Sequence, residues 1–490
     1  MRTPLNNLAF TNSFGTLGDT FYTRVTPTPF ATRARLLHFN SSAAALLDLE
    51  PAVQQDHAMA DIFSGKQALP GTDPLAMLYA GHQFGHYVPE LGDGRAILLG
   101  EVTNQRGEKW EIQLKGSGLT PYSRDGDGRA VMRSSIREYL CSEAMHGLGI
   151  PTTRALCLVG SDDEVYRERI ETGAMVTRLA PSHVRFGSFE VFFYRNQHAP
   201  LQTLTDFVIE HHYPELREDP QPYTALLHAI VDRTACMLAQ WQAVGFAHGV
   251  MNTDNMSILG LTLDYGPYGF MEGYNPGFIC NHSDYQGRYA FDQQPQIGLW
   301  NLTCLAQALT PLIEVEAAKA ALQTYQQRFT EYYYQLLAQK IGFEQPTDEV
   351  LQLVGELLDQ MQRSQTDYTR LFRRLGDVEV EANNPHPELR DMFLQRERFD
   401  RWLSEYRALM RSGARPDAER RDIMMSINPK YVLRNYMAQI AIDAAEQQDF
   451  SEIDRLMQLL QTPFDEHPEM AHYAEPPPDW AGSIQVSCSS

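Results

Sequence analysis

Hydrophobic and polar positions divide the chain into a strand-rich first part and a helical second part. Residues 1–70 read as an irregular leader with short elements, including an apolar stretch near residues 43–49. Residues 95–102 (RAILLGEV) and 109–116 (KWEIQLKG) predict two strands, joined by the turn-rich residues 104–107. A glycine-rich passage, GSGLTPYSRDGDGR, follows and ends at Arg129. Residues 130–147 then turn helical, because Met132, Ile136, Leu140, Ala144 and Leu148 recur at i, i+4 and share one face. Gly147, Gly149 and Pro151 give the stop signal. Residues 155–159 and 174–179 read as further strands. Beyond about Phe189 the pattern is mainly helical, with helices expected over 201–212, 223–244, 299–340 and several more to about Leu460. Asn383-Asn384-Pro385-His386-Pro387 marks a linker or surface loop. Residues 462–490, rich in Pro and acids, are expected to run extended against the body.

Length and composition narrow the class. A chain of 490 residues suggests two to four folding units. Its 43% apolar content is too high for a disordered chain, and no apolar run approaches the ~18–20 residues needed to span a bilayer. With 41 Lys+Arg against 62 Asp+Glu the net charge is −21, which argues against a general nucleic-acid binder. Ten of the acids, against the single base Arg455, fall between Asp443 and the end, so the surplus is partly a property of the tail. A small anion in a local basic pocket is still allowed. The N-terminus lacks a charged segment followed by an apolar one, which predicts no secretory signal and a cytoplasmic location. Six cysteines are scattered without CxxC or Cys/His metal spacing. Cys488, in the polar tail SIQVSCSS, is either an incidental thiol or a redox-active one.

Four elements in order carry the chemistry. Gly92-Asp93-Gly94-Arg95 opens the first strand of the hairpin, where glycines let backbone amides approach a phosphate and Arg95 adds charge. Lys115 ends the next strand in QLKGSG, and a lysine in an apolar strand needs a partner. Glu138 lies on the following helix, away from the apolar stripe, where it can meet that lysine across a cleft. Phe246–Asn255 (FAHGVMNTDN) then lines up with the kinase catalytic loop H-R-D-x-x-x-x-N: His248 falls on the His, Asn255 on the metal-binding Asn, and Val250 on the catalytic Asp. Asp264-Tyr265-Gly266 matches the metal-holding D-F-G triplet. Arg178 in MVTRLA and Arg185 in SHVRFGSFE could clamp a triphosphate, and Asp127-Gly128 could cover it.

Two other constellations carry less. His82 and His86 in YAGHQFGHY have i, i+4 spacing, but no HExxH glutamate and no third ligand accompanies them. There is no GxSxG elbow, and Cys141 lacks an identifiable His partner.

YAGHQFG, LGDGRA, QLKGSGLTPYSRDGDGRAVMRSSIREYL, HGVMNTDNMSILGLTLDYGPYGF and NPKYVLRN together resemble the selenoprotein O family of protein adenylyltransferases, over nearly the whole chain. The resemblance implies an α+β, protein-kinase-like bilobal fold with a β-rich N-lobe, a helical C-lobe and an additional helical C-terminal region. Its expected divisions are a leader over 1–70 packing on the lobes, an N-lobe over 71–180 and a C-lobe over 181–330. A helical region over 331–461 and the tail over 462–490 would complete it. It implies ATP bound in a flipped orientation and transfer of AMP to Ser, Thr or Tyr hydroxyls of proteins. Carried onto this chain, Lys115 pairs with Glu138 and contacts phosphate, while Arg178 and Arg185 receive the γ-phosphate. Gly92, Gly94, Arg95, Asp127 and Gly128 contribute to nucleotide binding. Asn255 and Asp264 hold Mg²⁺ or Mn²⁺, and Asp254 is the proton acceptor. Cys488 falls where many eukaryotic members carry selenocysteine, so the chain resembles a bacterial, cysteine-containing member.

The chemistry of the loop agrees with that assignment. Valine at position 250 cannot accept a proton, which disables the kinase mechanism. With the nucleotide reversed, the α-phosphate faces the acceptor and pyrophosphate leaves, and Asp254 beside Asn255 can act as base. Cys280, sixteen residues after Asp264, could pair with Cys488 and tie the tail over the site; two unconnected thiols are the alternative. Transfer of UMP from UTP with Mn²⁺, a kinase-type phosphotransferase and a non-catalytic nucleotide-binding scaffold are the competing functions. The expected partners are ATP and protein substrates, with no nucleic acid and no membrane, for a monomer.

Overall fold

The structure, a computed structural model, describes residues 3–56, 58–382, 386–413 and 415–487. Thirteen strands are assigned in them. β1 (Phe10–Thr11), β2 (Tyr22–Arg24) and β3 (Arg35–Phe39) come from the leader. They are followed by β4 (Leu75–Met77), β5 (Gly81–Gln83), β6 (His86–Val88), β7 (Ala96–Thr103), β8 (Lys109–Lys115) and β9 (Ala130–Val131). β10 (Arg154–Tyr166) and β11 (Ile170–Ala180) form the longest hairpin, and β12 (Phe246–Ala247) and β13 (Gly269–Phe270) a short ribbon. A nine-stranded antiparallel sheet runs β2-β4-β7-β8-β11-β10-β3, with β1 added on β7 and β9 on β11. The strands expected over 95–102, 109–116, 155–159 and 174–179 are β7, β8 and parts of β10 and β11.

Period-two alternation makes this sheet two-faced. Leu99, Ile112, Leu114, Met175 and Leu179 pack with Leu47, Ile62 and Phe63 of the leader in one apolar cluster. Gln113, Lys115, Val176 and Arg178 therefore lie on the opposite face, above which the helix Met132–Gly147 packs against β10 and β11. The leader is thus more than an irregular appendage, because it contributes three strands and covers the back of the sheet.

The helical part holds Pro222–Val244, closed by Gly245 at φ 77°, and Val315–Lys340 alongside it. The single helix expected over 299–340 is two, Gln294–Leu309 and Val315–Lys340, separated around Pro311, whose ring and missing N–H break the ladder. Residues 383–385 of the expected linker lie outside the described residues, and a short helix, Pro387–Arg390, follows it. The tail is also less extended than expected. It forms two 3₁₀ turns, Pro468–Ala474 and Asp479–Ser483, and buries Met470, Tyr473 and Val486. No helix among the described residues is long and apolar enough to cross a membrane.

Lys340 closes the long helix with its amine 4.5 Å from the centre of the Phe372 ring and 5.5 Å from that of Tyr368. Burial pushes this ammonium down to about 7. Between that value and the ordinary lysine range the unfolded chain holds a proton that the folded chain has lost, so stability rises with pH across this window. Lys340→Met should therefore stabilise the protein at pH 6, where the amine is charged in both states, by on the order of 1–2 kcal/mol, seen as a higher thermal midpoint. The advantage should shrink as pH rises from 7 towards 10, as followed by thermal melts of both proteins.

Candidate active site

A cavity of about 550 Å³ opens between the sheet and the helical part, a size suited to a nucleotide. Lys115 reaches it from the end of β8, Arg178 from β11 and Arg185 from the segment after it. Gln113 and Arg178 stand opposite one another in the β8–β11 register, and the Gln113 side-chain oxygen accepts from Arg178 Nε at 3.0 Å. This cross-strand pair aims the guanidinium across the cleft. Arg185 lies under the ring of Tyr79, 4.6 Å from its centre, and donates to the Asp254 carbonyl at 2.7 Å.

These three cations converge on two carboxylates. Glu138 accepts from Lys115, and from Arg178 at 3.2 Å. Asp264 accepts from Lys115 at 3.2 Å and from both Arg178 and Arg185. Burial alone would raise the Asp264 carboxyl, but Arg185, Arg178 and Lys115 outweigh it and hold it well below the usual carboxylate range. Its backbone sits at φ 59°, a left-handed conformation uncommon for a residue with a side chain.

The helix carrying Glu138 is fixed from beneath. Arg137 donates to the Tyr268 carbonyl at 2.9 Å and lies over the Tyr268 ring, while the Tyr268 hydroxyl donates back to the Arg137 carbonyl at 2.9 Å. Arg137 also donates to Asn435 Oδ1 at 3.3 Å, on the C-terminal helix Asn435–Glu446. Glu138 and the segment after Asp264 are thereby tied together.

The loop after β12 carries the residues matched to the kinase motif. His248 is buried, stacked on Trp241 with ring centres 5.3 Å apart, and its Nε2 meets the Leu263 carbonyl at 3.0 Å. It holds the loop shape and does not line the cleft. Asn255 donates through its amide nitrogen to the Val250 carbonyl at 2.9 Å, which turns its oxygen the other way. Asp254 and Asn255 line the cavity with Asp264. Burial pushes the Asp254 carboxyl up to about 7, against the hydrogen bond from Gln83 and the charge of Arg185.

The glycine-rich elements form the other wall, and Gly92, Gly94, Arg95, Asp127 and Gly128 all line it. Arg95 is exposed at the rim. Gly92, at φ 67°, is demanded by packing, since a Cβ there would lie 2.4 Å from the Tyr122 ring. Asp127 is already engaged: it pairs with Arg167 at 2.8 Å and accepts from the Arg129 amide at 2.9 Å.

Sequence reasoning missed the use of YAGHQFGH. It forms the β5–β6 hairpin, which lies on the loop carrying Asn252, Thr253 and Asp254. His82 and His86 do not converge: His86 is exposed, whereas His82 is buried and pairs with Glu190 at 2.6 Å. Cys304 comes within 4.8 Å of that pair, and Glu190 also accepts from Thr253. Only the glycines and the inward polar residues of the motif could have signalled a contact with backbone. Cys488 lies outside the described residues. The chain just before it docks beside Cys280, where the His282 amide donates to the Val486 carbonyl at 2.7 Å.

Comparison with known proteins adds a family to this geometry. The family model described as protein adenylyltransferase SelO matches residues 4–461. Protein nucleotidyltransferase YdiU of Thioalkalivibrio sulfidiphilus is 56% identical over 492 residues, covering 99% of each chain. The proteins of that name from Thiobacillus denitrificans and Myxococcus xanthus are 56% and 54% identical, again over 99% of each chain. A match of this length, spanning the sheet, the cation cluster and the C-terminal helices alike, means that the chain belongs to the SelO family of protein adenylyltransferases.

Proposed function

We propose that the cleft binds ATP with its phosphates reversed relative to a kinase and transfers AMP to Ser, Thr or Tyr hydroxyls of proteins. The observation that carries this reading is the cluster of Lys115, Arg178 and Arg185 deep in the cleft, three cations on the two carboxylates of Glu138 and Asp264. Among these five side chains the cations outnumber the carboxylates by one, in a protein whose net charge is −21. Phosphate oxygens entering there would take cations from Asp264. The γ-phosphate would sit between Arg178 and Arg185, so that pyrophosphate leaves towards the cluster and the α-phosphate faces Asp254. Gly92, Gly94, Arg95, Asp127 and Gly128 would border the rest of the nucleotide.

Asn255 and Asp264 offer hard oxygen donors on the wall of the cavity, a set that fits Mg²⁺ or Mn²⁺. Bound there, the ion would neutralise phosphate charge. In the transfer, the acceptor oxygen bonds to the α-phosphorus, its proton passes to Asp254, and the bond to the bridging oxygen of the β-phosphate breaks. Positioning and charge neutralisation supply most of the acceleration. Val250 at the kinase base position favours this route over phosphoryl transfer.

The same reading divides the chain into a kinase-like N-lobe over 71–180, a C-lobe over 181–330, a helical region over 331–461 and a tail over 462–490, with the leader completing the N-lobe sheet. Cys280 and Cys488 could then form a redox tie between activation segment and tail; the docking of Val486 on His282 supports that direction.

Incubation with a protein acceptor and ATP labelled at α or at γ tests the reading. Retained α label is expected; γ label retained alone would make the protein a kinase, and no retention would make it a scaffold. A parallel arm with UTP and Mn²⁺ distinguishes uridylylation. Asp254→Ala should lower turnover about 100-fold or more while leaving ATP binding within a few-fold, measured by transfer assay and nucleotide titration. Arg185→Ala should instead weaken ATP binding, because it removes a phosphate clamp while Lys115 and Arg178 still hold Asp264, and equal affinities in the titration would count against the γ-phosphate role.

A further inference from the structure

We propose that Gln83 is a positioning residue for the transfer, holding the Asp254 carboxylate in place from the rigid mount of the β5–β6 hairpin. This rests on the reading of Asp254 as proton acceptor. Both residues line the cleft, and Gln83 Nε2 donates to Asp254 Oδ2 at 3.2 Å. Among the described residues, Gln83 is the one side-chain donor to that carboxylate. Its other oxygen, Oδ1, is buried without a hydrogen-bond partner and lies over Gly81, where a Cβ would come within 2.5 Å of it. The chain thus leaves room for the carboxylate at Gly81 and supplies its donor two residues later, on the same face of β5.

The mount is pinned one residue at a time. The His82 amide donates to Thr253 Oγ1 at 2.7 Å, and the Phe84 amide donates to Asn252 Oδ1 at 3.2 Å and to the Tyr289 hydroxyl at 3.0 Å. Tyr289 in turn donates to Asn252 Oδ1 at 2.7 Å. The hairpin tip has φ 49° at Phe84 and 84° at Gly85, the two positive values of a two-residue turn. This conformation is disfavoured for phenylalanine, and the Asn252 and Tyr289 contacts hold the tip in it from outside. Residues 82, 83 and 84 therefore each engage one of residues 252–254.

The choice of glutamine has a physical reason. A lysine or arginine at this position would bind the carboxylate more tightly and quench it as a base, whereas an amide orients it without adding charge. The competing partner is close, because Arg185 already donates to the Asp254 backbone carbonyl. Without Gln83 the carboxylate is free to turn towards that guanidinium and away from the acceptor.

The test uses the full-length protein with Gln83→Ala, Gln83→Glu, Asp254→Ala and the Gln83→Ala/Asp254→Ala pair, measuring AMP transfer to a protein acceptor and ATP affinity by titration. Gln83→Ala should lower kcat about 10- to 100-fold with the ATP dissociation constant within about twofold. Gln83→Glu, which keeps the shape but replaces the donor with a second carboxylate, should do no better. In the Asp254→Ala background, Gln83→Ala should cost nothing further, since both act through one group. A Gln83→Ala enzyme with wild-type kcat, an equal loss in both backgrounds, or a loss of ATP affinity matching the loss of turnover would each overturn the proposal. Wild-type turnover in Asp254→Ala would overturn the base reading itself and this inference with it. Thermal melts identify a variant that fails to fold, in which case Gln83→Glu decides the outcome.

Discussion

The cleft depends on keeping three cations charged where little water reaches them. Lys115, Arg178 and Arg185 are each at least nine-tenths buried, and an unpaired charge in such a place is strongly disfavoured. Glu138 and Asp264 solve this by sharing the cations between them, so that neither carboxylate belongs to one partner alone. Removing either carboxylate leaves buried cations short of a counter-ion, the situation in which breaking a buried ion pair costs several kcal/mol. The cluster is therefore a rigid object with a residual positive charge, and it sits where an anion can reach it.

Several elements exist in their observed form because of this cluster. The β8–β11 register sets Gln113 against Arg178, and the alternation along β8 sends Ile112 and Leu114 into the leader while Lys115 faces the cleft. The Arg137–Tyr268 exchange ties the helix carrying Glu138 to the segment that carries Asp264, and Asn435 adds a contact from the C-terminal helices. On the other side of the cleft the hairpin of residues 81–88 does the same for the loop carrying Asp254. Two sets of contacts, one on each side, thus hold the charge cluster and Asp254 in register.

Much of this was readable in the chain. The strand pair 95–102 and 109–116, the helix ending at Gly147 and the order of Lys115, Glu138, Asn255 and Asp264 all followed from local patterns and spacing. The failures share a cause. Residues 1–70 read as irregular because strands of two to five residues carry too little periodicity to stand out, yet three of them complete the sheet. The expected helix over 299–340 failed because Pro311 interrupts an apolar pattern that otherwise continues. The histidines of YAGHQFGH suggest metal ligation, whereas the groups that contact the loop of residues 252–254 are a glutamine side chain and backbone amides, whose pairing no local pattern encodes.

The sequence by itself determined which chemical groups the protein owns and in what order, because residue type and spacing along one strand or helix depend only on neighbours in the chain. It also determined that residue 250 cannot serve as a base. The tertiary structure decided which groups meet. Arg178 and Arg185 reach Asp264 across 86 and 79 residues, and Gln83 reaches Asp254 across 171. Contacts over such separations are set by strand register, sheet faces and the packing of distant elements, and no local pattern encodes them.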